Sequence, residues 1–272
     1  MSRFGLVKSL SWSGKLGRRM LKRFLYTQMA VWTAVKILIG REMPLLPFRV
    51  EDDPPSIYWV FRLKPAGLTE FSQKLKLPPQ FKLTPIRCLA TDEPEYWLTL
   101  NVYRVSGLAN GIRAEWSVYV EDEAGESRYM VVDARSSQMS MDPVDVITPA
   151  SRVAHERTGQ VIETVVGDEG ASFVCKIDVP DSVASVAPAA AEWVTANDYI
   201  YWGNGICDRT FYGGSLAYAK QRRYGGEVAT ITDQSIWAEF VEPDPAHILI
   251  FDHAIEFVVS PWENVDHAPI FD

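Results

Sequence analysis

Residues 96–122 read YWLTLNVYRVSGLANGIRAEWSVYVED, and their character decides the fold. Two runs rich in aromatic and β-branched residues flank the turn signal GLANG, where glycine and asparagine supply the backbone freedom that a chain reversal needs. Runs of this kind are strands rather than helices. The same character extends in both directions, through SIYWVFRL and FKLTPIRCLA before it and RYMVVDAR, GQVIETVV, ASFVCKIDV, EVATITDQSIWAEF and HILIFDHAIEF after it. DEAGES, GDEG and the glycine pairs at 213–214 and 225–226 mark further turns. Short helices are expected only in PAGLTEFSQKLKLPP, where Leu68, Phe71 and Leu75 share a face, and in AAAEWVTANDY. The pattern predicts a mainly β (α+β) body, arranged as a sandwich or barrel-like sheet pair. No repeat of constant period is visible.

Composition agrees with a packed body. A chain of 272 residues that is 47% hydrophobic and 12% aromatic can bury a sizeable core. Cys88, Cys175 and Cys207 are odd in number and lack C-x-x-C spacing, so neither a disulfide framework nor a zinc site is indicated and a reducing compartment is expected.

Charge divides the chain. Residues 1–41 hold nine of the 27 Lys and Arg and none of the 35 acids, so a basic segment precedes an acidic body. The boundary falls at REMPLLPFRVEDDPP, where Pro44, Pro47, Pro54 and Pro55 stop any helix. Two parts follow: a basic segment over 1–43 and a β domain over 44–272. Within the first, Leu21, Phe24, Leu25, Val31, Trp32, Val35, Leu38 and Ile39 recur at helical spacing opposite Arg18, Lys22, Thr33 and Lys36, predicting an amphipathic helix over Arg18–Ile39. Its uncharged run falls short of the roughly 20 residues that a spanning helix needs. A basic amphipathic helix suits the surface of an anionic membrane, so the expected location is cytoplasmic and peripheral to a membrane. Packing on the chain's own body or on a partner subunit, and an organellar presequence, are the competing readings. No secretory cleavage site follows the apolar run.

The chain has no G-x-S-x-G, no Gly-rich phosphate loop, no H-E-x-x-H and no EF-hand pattern, so the common motif-defined hydrolases and nucleotide or metal sites lack support. His247 and His253, six apart, have no third ligand in sequence reach, and no metal or cofactor is expected. The acidic body and the short basic cluster Lys220–Arg223 argue against nucleic acid as a partner.

The order of the β segments resembles the acetoacetate decarboxylase family. YWVFRLKPAGLTEFSQKLKLPPQFKLTPIRCLATDEPEYWLTLNVYRV is similar to that family's opening half, and ITDQSIWAEFVEPDPAHILIFDHAIEF to its end, including an aromatic-Asp-His-Ala tetrapeptide matched by Phe251–Ala254. The resemblance spans residues 56–265. It implies a cone or barrel of antiparallel sheet around an apolar cavity, in which a lysine of depressed pKa forms a Schiff base with a keto acid. This chain departs from the pattern at each active-site position. The lysine belongs near Ser136–Met141, yet no lysine lies between Lys82 and Lys176. Asn101 stands where the paired glutamate belongs, and no arginine occurs near Pro54 and Pro55. The chain reads as a divergent member without the Schiff-base lysine, leaving Lys176 or Lys220 as substitutes from other strands.

Asp252 and His253 interrupt an apolar run, where an acid and an imidazole are costly unless partnered or exposed. On one alternating strand they point to opposite faces, which argues against a direct dyad. His253 stays a candidate acid–base group beside Glu115 and Arg104. Asn101, Tyr103, Trp116, Arg128, Arg135 and Trp202 are the candidate ligand-binding residues, and NDYIYWGNGICDRTFYGG is expected as a loop-like lid or rim. Three functions fit: a membrane-associated protein, alone or as a homo-oligomer, that binds an apolar carbonyl or fatty-acid-like molecule without Schiff-base decarboxylation; an acid–base lyase, hydratase or isomerase using the same cavity; and a scaffold subunit. A pocket shared by Arg and Glu or His favours the enzyme, a wholly apolar one binding, and a filled interior scaffolding.

Overall fold

The computed structural model describes residue 31 and residues 48–88, 93–107, 110–125, 127–137, 147–150, 152–168, 171–179, 186–187, 198–203, 206–214, 221–251, 253–259 and 268–269. Apart from Val31, the basic helix read over Arg18–Ile39 lies outside them, as do Asp252, Lys220 and the side chain of Trp202. Most of AAAEWVTANDY does too, and its last two residues open a strand.

The described residues are mainly β. The strands are β1 (Phe48–Val50), β2 (Ser56–Arg62), β3 (Lys82–Leu83), β4 (Trp97–Gly107), β5 (Gly111–Glu121), β6 (Ser127–Ser136), β7 (Ile147–Pro149), β8 (Arg152–Thr158) and β9 (Val161–Asp168). They continue as β10 (Ala171–Asp178), β11 (Val186–Ala187), β12 (Asp198–Gly203), β13 (Ile206–Gly214), β14 (Gln221–Tyr224), β15 (Ala229–Asp233), β16 (His247–Phe251), β17 (Ile255–Val259) and β18 (Ala268–Pro269). Helix α1 (Leu68–Leu75) buries Phe71 and Leu75, as its spacing requires, and ends where Lys76 turns left-handed. Phe71 packs on Trp237 and Phe240, with ring centroids 5.7 and 5.4 Å away.

β8, β9, β10 and β15 form a four-stranded antiparallel sheet, and the remaining strands form a larger one. In the larger sheet the ladder returns on itself: β4 pairs with β5, β5 with β6, β6 with β12, β12 with β13, β13 with β17, β17 with β1, and β1 with β4. β2, β16 and β14 continue outward from β4. A ring of pairings leaves no open edge along it, which is how such sheets avoid edge-to-edge association.

The core lies between the two sheets. Leu98, Leu100 and Val102 of β4, Trp116 and Val118 of β5, and Ile57, Trp59 and Phe61 of β2 share one face by the period of two. They pack on Ile162, Val166, Phe173, Cys175 and Ile177 of the smaller sheet. Phe173 is the centre of contact, edge-on to Trp59 at 5.4 Å and to Trp116 at 5.9 Å. A buried histidine ties the layers at their margin. The Nε2–H of His155 donates to the Pro55 carbonyl at 2.8 Å, and its Nδ1 lies 2.9 Å from the Thr164 hydroxyl.

Several expectations change. Among the described residues, only Lys82–Leu83 of FKLTPIRCLA and Ala229–Asp233 of EVATITDQSIWAEF are strand, and Ala238–Phe240 form a short 3-10 helix. NDYIYWGNGICDRTFYGG is a hairpin of β12 and β13 in register from Asp198↔Phe211 to Gly203↔Ile206, and not a loop-like rim. Its tyrosines, isoleucines and tryptophan prefer strands, and pairing outweighs the glycines and polar residues that suggested a loop. HILIFDHAIEF is not one strand. β16 pairs with β2 and β14, whereas β17 pairs with β1 and β13, so the chain must leave one ladder before joining the next. His253 falls in that break and is exposed, which is how the imidazole avoids burial.

Candidate functional site

With one face of β4 and β5 committed to the core between the sheets, the opposite face turns toward the inside of the ring. It is buried and mixed, with polar side chains set among apolar ones such as Val105 and Val131. From β4 it presents Thr99, Asn101 and Tyr103, and from β5 Arg113, Glu115, Ser117 and Tyr119, none more than 7% exposed. β6 adds Tyr129 and Ser136. Register sets the neighbours: Asn101 stands opposite Glu115, Tyr103 opposite Arg113, and Arg113 opposite Ser136. Side chains directly opposed in an antiparallel pair have Cβ atoms roughly 4.5–5.5 Å apart, within reach of one another.

Part of this face is held by its own hydrogen bonds. Ser56 donates to Oδ1 of Asn101 at 3.2 Å, which fixes the amide and assigns its NH2 group as a donor. Thr99 and the Tyr129 phenol lie 2.9 Å apart. Burial pushes the Tyr129 phenol far above its usual range, hydrogen bonds to Ser117 and Thr99 pull it back in part, and the charge of Glu115 pushes it up further. The phenol is therefore a protonated donor at every physiological pH. Tyr119 packs edge-on to it, ring centroids 5.3 Å apart.

A β-bulge decides what belongs to this face. Between Trp116 and Ser117 the register to β6 shifts by one residue, so that Ser117 pairs with Val131 but Trp116 with Asp133. Without the extra residue, Asp133 and Arg135 would follow Tyr129 and Val131 onto the inner face. The bulge turns both outward, toward the smaller sheet.

The sequence candidates accordingly separate. Asn101, Tyr103 and Glu115 lie together on the inner face. Trp116 lies on the other face, in the core. Arg104 sits at the margin of the layers, its Nη2 donating to the His155 carbonyl at 3.3 Å and its Nε 3.8 Å from Glu51. Arg128 pairs with Asp122 at 3.1 Å beside the β5–β6 turn. Arg135 pairs with Asp133. His253 is in the exposed break, and Trp202 is on β12. Sequence reading missed Arg113, Tyr119, Tyr129 and Ser136. The signal was present for the first two, because Arg113 and Tyr119 share the parity of Glu115 along one strand.

Among the described residues, no group of three His, Cys, Asp or Glu could hold a metal ion. Lys176 projects from the solvent face of the smaller sheet, 3.6 Å from Glu163, and so is remote in kind from a desolvated amine.

No family model matches the chain, and no curated protein does. The chain is similar to an acetoacetate decarboxylase-like enzyme from Sphingomonas wittichii RW1. The two are 12% identical, with a TM-score of 0.49, over 82% of this chain and 93% of that one.

Proposed function

We propose that the inner face binds a small carbonyl compound and moves a proton on it, a lyase or isomerase reaction that uses no Schiff base. One observation carries the reading: a carboxylate and a guanidinium, Glu115 and Arg113, are buried two residues apart on a face that also holds Asn101 and the phenols of Tyr58, Tyr103, Tyr119 and Tyr129. A protein built only to hold an apolar molecule would present aliphatic side chains there, as the opposite face of the same strands does. In the proposed step, Glu115 takes a proton from the carbon next to the carbonyl. The electron pair moves onto the carbonyl oxygen, where N–H donors of Arg113 and Asn101 stabilise the enolate. Return of the proton to another carbon isomerises the compound; if the β-carbon bears a hydroxyl, the enolate instead re-forms the carbonyl and a carbon–carbon double bond while the C–O bond breaks, and the proton held by Glu115 passes to the departing oxygen, which leaves as water. Tyr103 and Tyr129 supply O–H donors around the same centre. We further propose that residues 1–41 hold the chain at an anionic membrane surface.

Exchange of α-protons for deuterium in small ketones and keto acids, followed by NMR, tests the chemistry. Wild type should catalyse exchange for at least one compound, and Glu115→Gln should abolish it at unchanged thermal stability. Exchange that survives Glu115→Gln would overturn the assignment. A large loss of stability with exchange intact would make Glu115 one half of a structural ion pair.

A further inference from the structure

The amide of Asn101 has one end bound and one end open. Its Oδ1 accepts from Ser56 at 3.2 Å, whereas its NH2 group has no hydrogen-bond partner among the described residues, although Asn101 is only 7% exposed. β2 and β5 flank β4, so an amide oxygen turned to Ser56 leaves the NH2 group on the Glu115 side. A buried donor without an acceptor is costly, and its retention points to an acceptor that arrives with the ligand. Ser56 is itself held from behind. It opens β2 directly after Pro54 and Pro55, whose rings fix φ at two successive residues, and all three are buried. The Pro55 carbonyl accepts the Nε2–H of His155 at 2.8 Å, and Nδ1 of His155 lies 2.9 Å from the Thr164 hydroxyl. That carbonyl belongs to the planar peptide group that carries the Ser56 nitrogen, so holding it sets where the Ser56 side chain stands. A line of contacts therefore runs from Thr164 in the smaller sheet through His155, Pro55 and Ser56 to Asn101.

We propose that Ser56 and His155 are positioning residues which keep the Asn101 NH2 group turned to the carbonyl oxygen of the ligand, an inference that rests on the reading of the inner face as a carbonyl site. Neither side chain touches the ligand. Ser56 selects the end of the amide that faces it, and His155 fixes the peptide from which Ser56 acts. Without the Ser56 hydroxyl the amide loses its anchor and can turn over. Its oxygen then stands where negative charge develops, beside the Glu115 carboxylate, and a donor to the enolate is lost.

Two readouts test this. One is α-deuterium exchange in ketones and keto acids, resolved into kcat and KM per folded molecule. The other is the side-chain NH2 signals of Asn101 in NMR, assigned by their absence from Asn101→Asp, with pyruvate and acetone as probes. Ser56→Ala should lower kcat by about tenfold with KM nearly unchanged, because the steered donor acts where charge develops. Ser56→Thr keeps the hydroxyl and should retain most of the activity. His155→Gln should lower kcat less, and the double variant should be no slower than Ser56→Ala, since both act through one amide. The Asn101 signals should respond to both probes in wild type and lose that response in Ser56→Ala. Unchanged kcat in Ser56→Ala beside an inactive Glu115→Gln would overturn the inference and leave the carbonyl reading standing. Additive losses in the double variant would remove His155 from the inference. If the wild type exchanges nothing, the carbonyl chemistry falls and the NMR readout decides: Asn101 signals that respond to a probe and to Ser56→Ala uphold the inference, and signals indifferent to either overturn it. Should Ser56→Ala fail to fold, wild-type signals that neither probe moves would overturn it on their own.

Discussion

Asn101 and Glu115 are a directly opposed pair across β4 and β5, both buried, with the Asn101 amide oriented by Ser56. An amide opposite a carboxylate can donate to it, whereas a second carboxylate would repel it. Asn101→Asp should therefore destabilise the protein by about 2 kcal/mol at pH 8, as expected for two carboxylates confined in one poorly solvated pair. The loss should shrink at pH 5, where one of the two can take a proton. Urea denaturation at both pH values measures it, and a loss that does not depend on pH would separate the two side chains.

Schiff-base chemistry makes a second, independent prediction. A nucleophilic lysine must be desolvated or lie beside another cation. Lys176 has neither condition, being exposed beside the carboxylate of Glu163, and no lysine lies between Lys82 and Lys176. Borohydride added with acetoacetate or pyruvate should leave the intact mass unchanged. A reduced adduct located on any lysine by peptide mapping would overturn the lysine-free reading.

The margin between the sheets should respond to acid. Burial holds His155 neutral by lowering its pKa from 6.5 to about 4, with the Pro55 carbonyl opposing that shift in part and Arg104 adding to it. The unfolded chain takes up this proton below 6.5 and the folded chain only near 4, so the unfolded state binds more protons in that window. Stability falls as pH drops from about 6.5 to about 4 and is unaffected by this group above it, an effect of about 3 kcal/mol at full extent. His155→Gln should be less stable than wild type at pH 7 and should lose that part of the slope. Parallel curves for the two proteins, measured by denaturation from pH 4 to 8, would show that the histidine titrates alike in both states.

Most strands of the body were legible because each carries its own period, although β8, β12 and β13 were not read as strands, and α1 was legible because Leu68, Phe71 and Leu75 repeat at helical spacing. What pairs with what was not. The closing of the ladder through β12, β13 and β17 depends on contacts between residues far apart in sequence, and local pattern carries no record of them. The same limit explains the site. Glu115, Asn101 and Tyr103 could be named as polar residues within strands, yet whether Arg135 joined them turned on one bulge opposite Trp116 that no residue type announces. His253 misled for a related reason, since a break between two ladders and an interruption within one strand look alike in sequence.

The basic segment supplies the last prediction. Residues 1–41 carry nine positive charges and no acid, ahead of a body that holds all 35 acids. Among the described residues no helix is long and apolar enough to cross a membrane. The first described strand, β1, begins at Phe48, and the core between the sheets draws on residues from Ile57 onward, so deleting 1–41 removes none of its members. The truncated chain should fold with an unchanged melting temperature. Intact protein should sediment with vesicles containing anionic lipid and should not with neutral ones, since each Lys or Arg near such a surface contributes about 1 kcal/mol. Raising the salt should release it, because screening shortens the reach of those charges. Truncated protein should stay in the supernatant under every condition. Equal sedimentation of both forms, or salt-independent binding of the intact one, would remove the membrane role, and loss of a co-purifying subunit on truncation would assign the segment to docking instead.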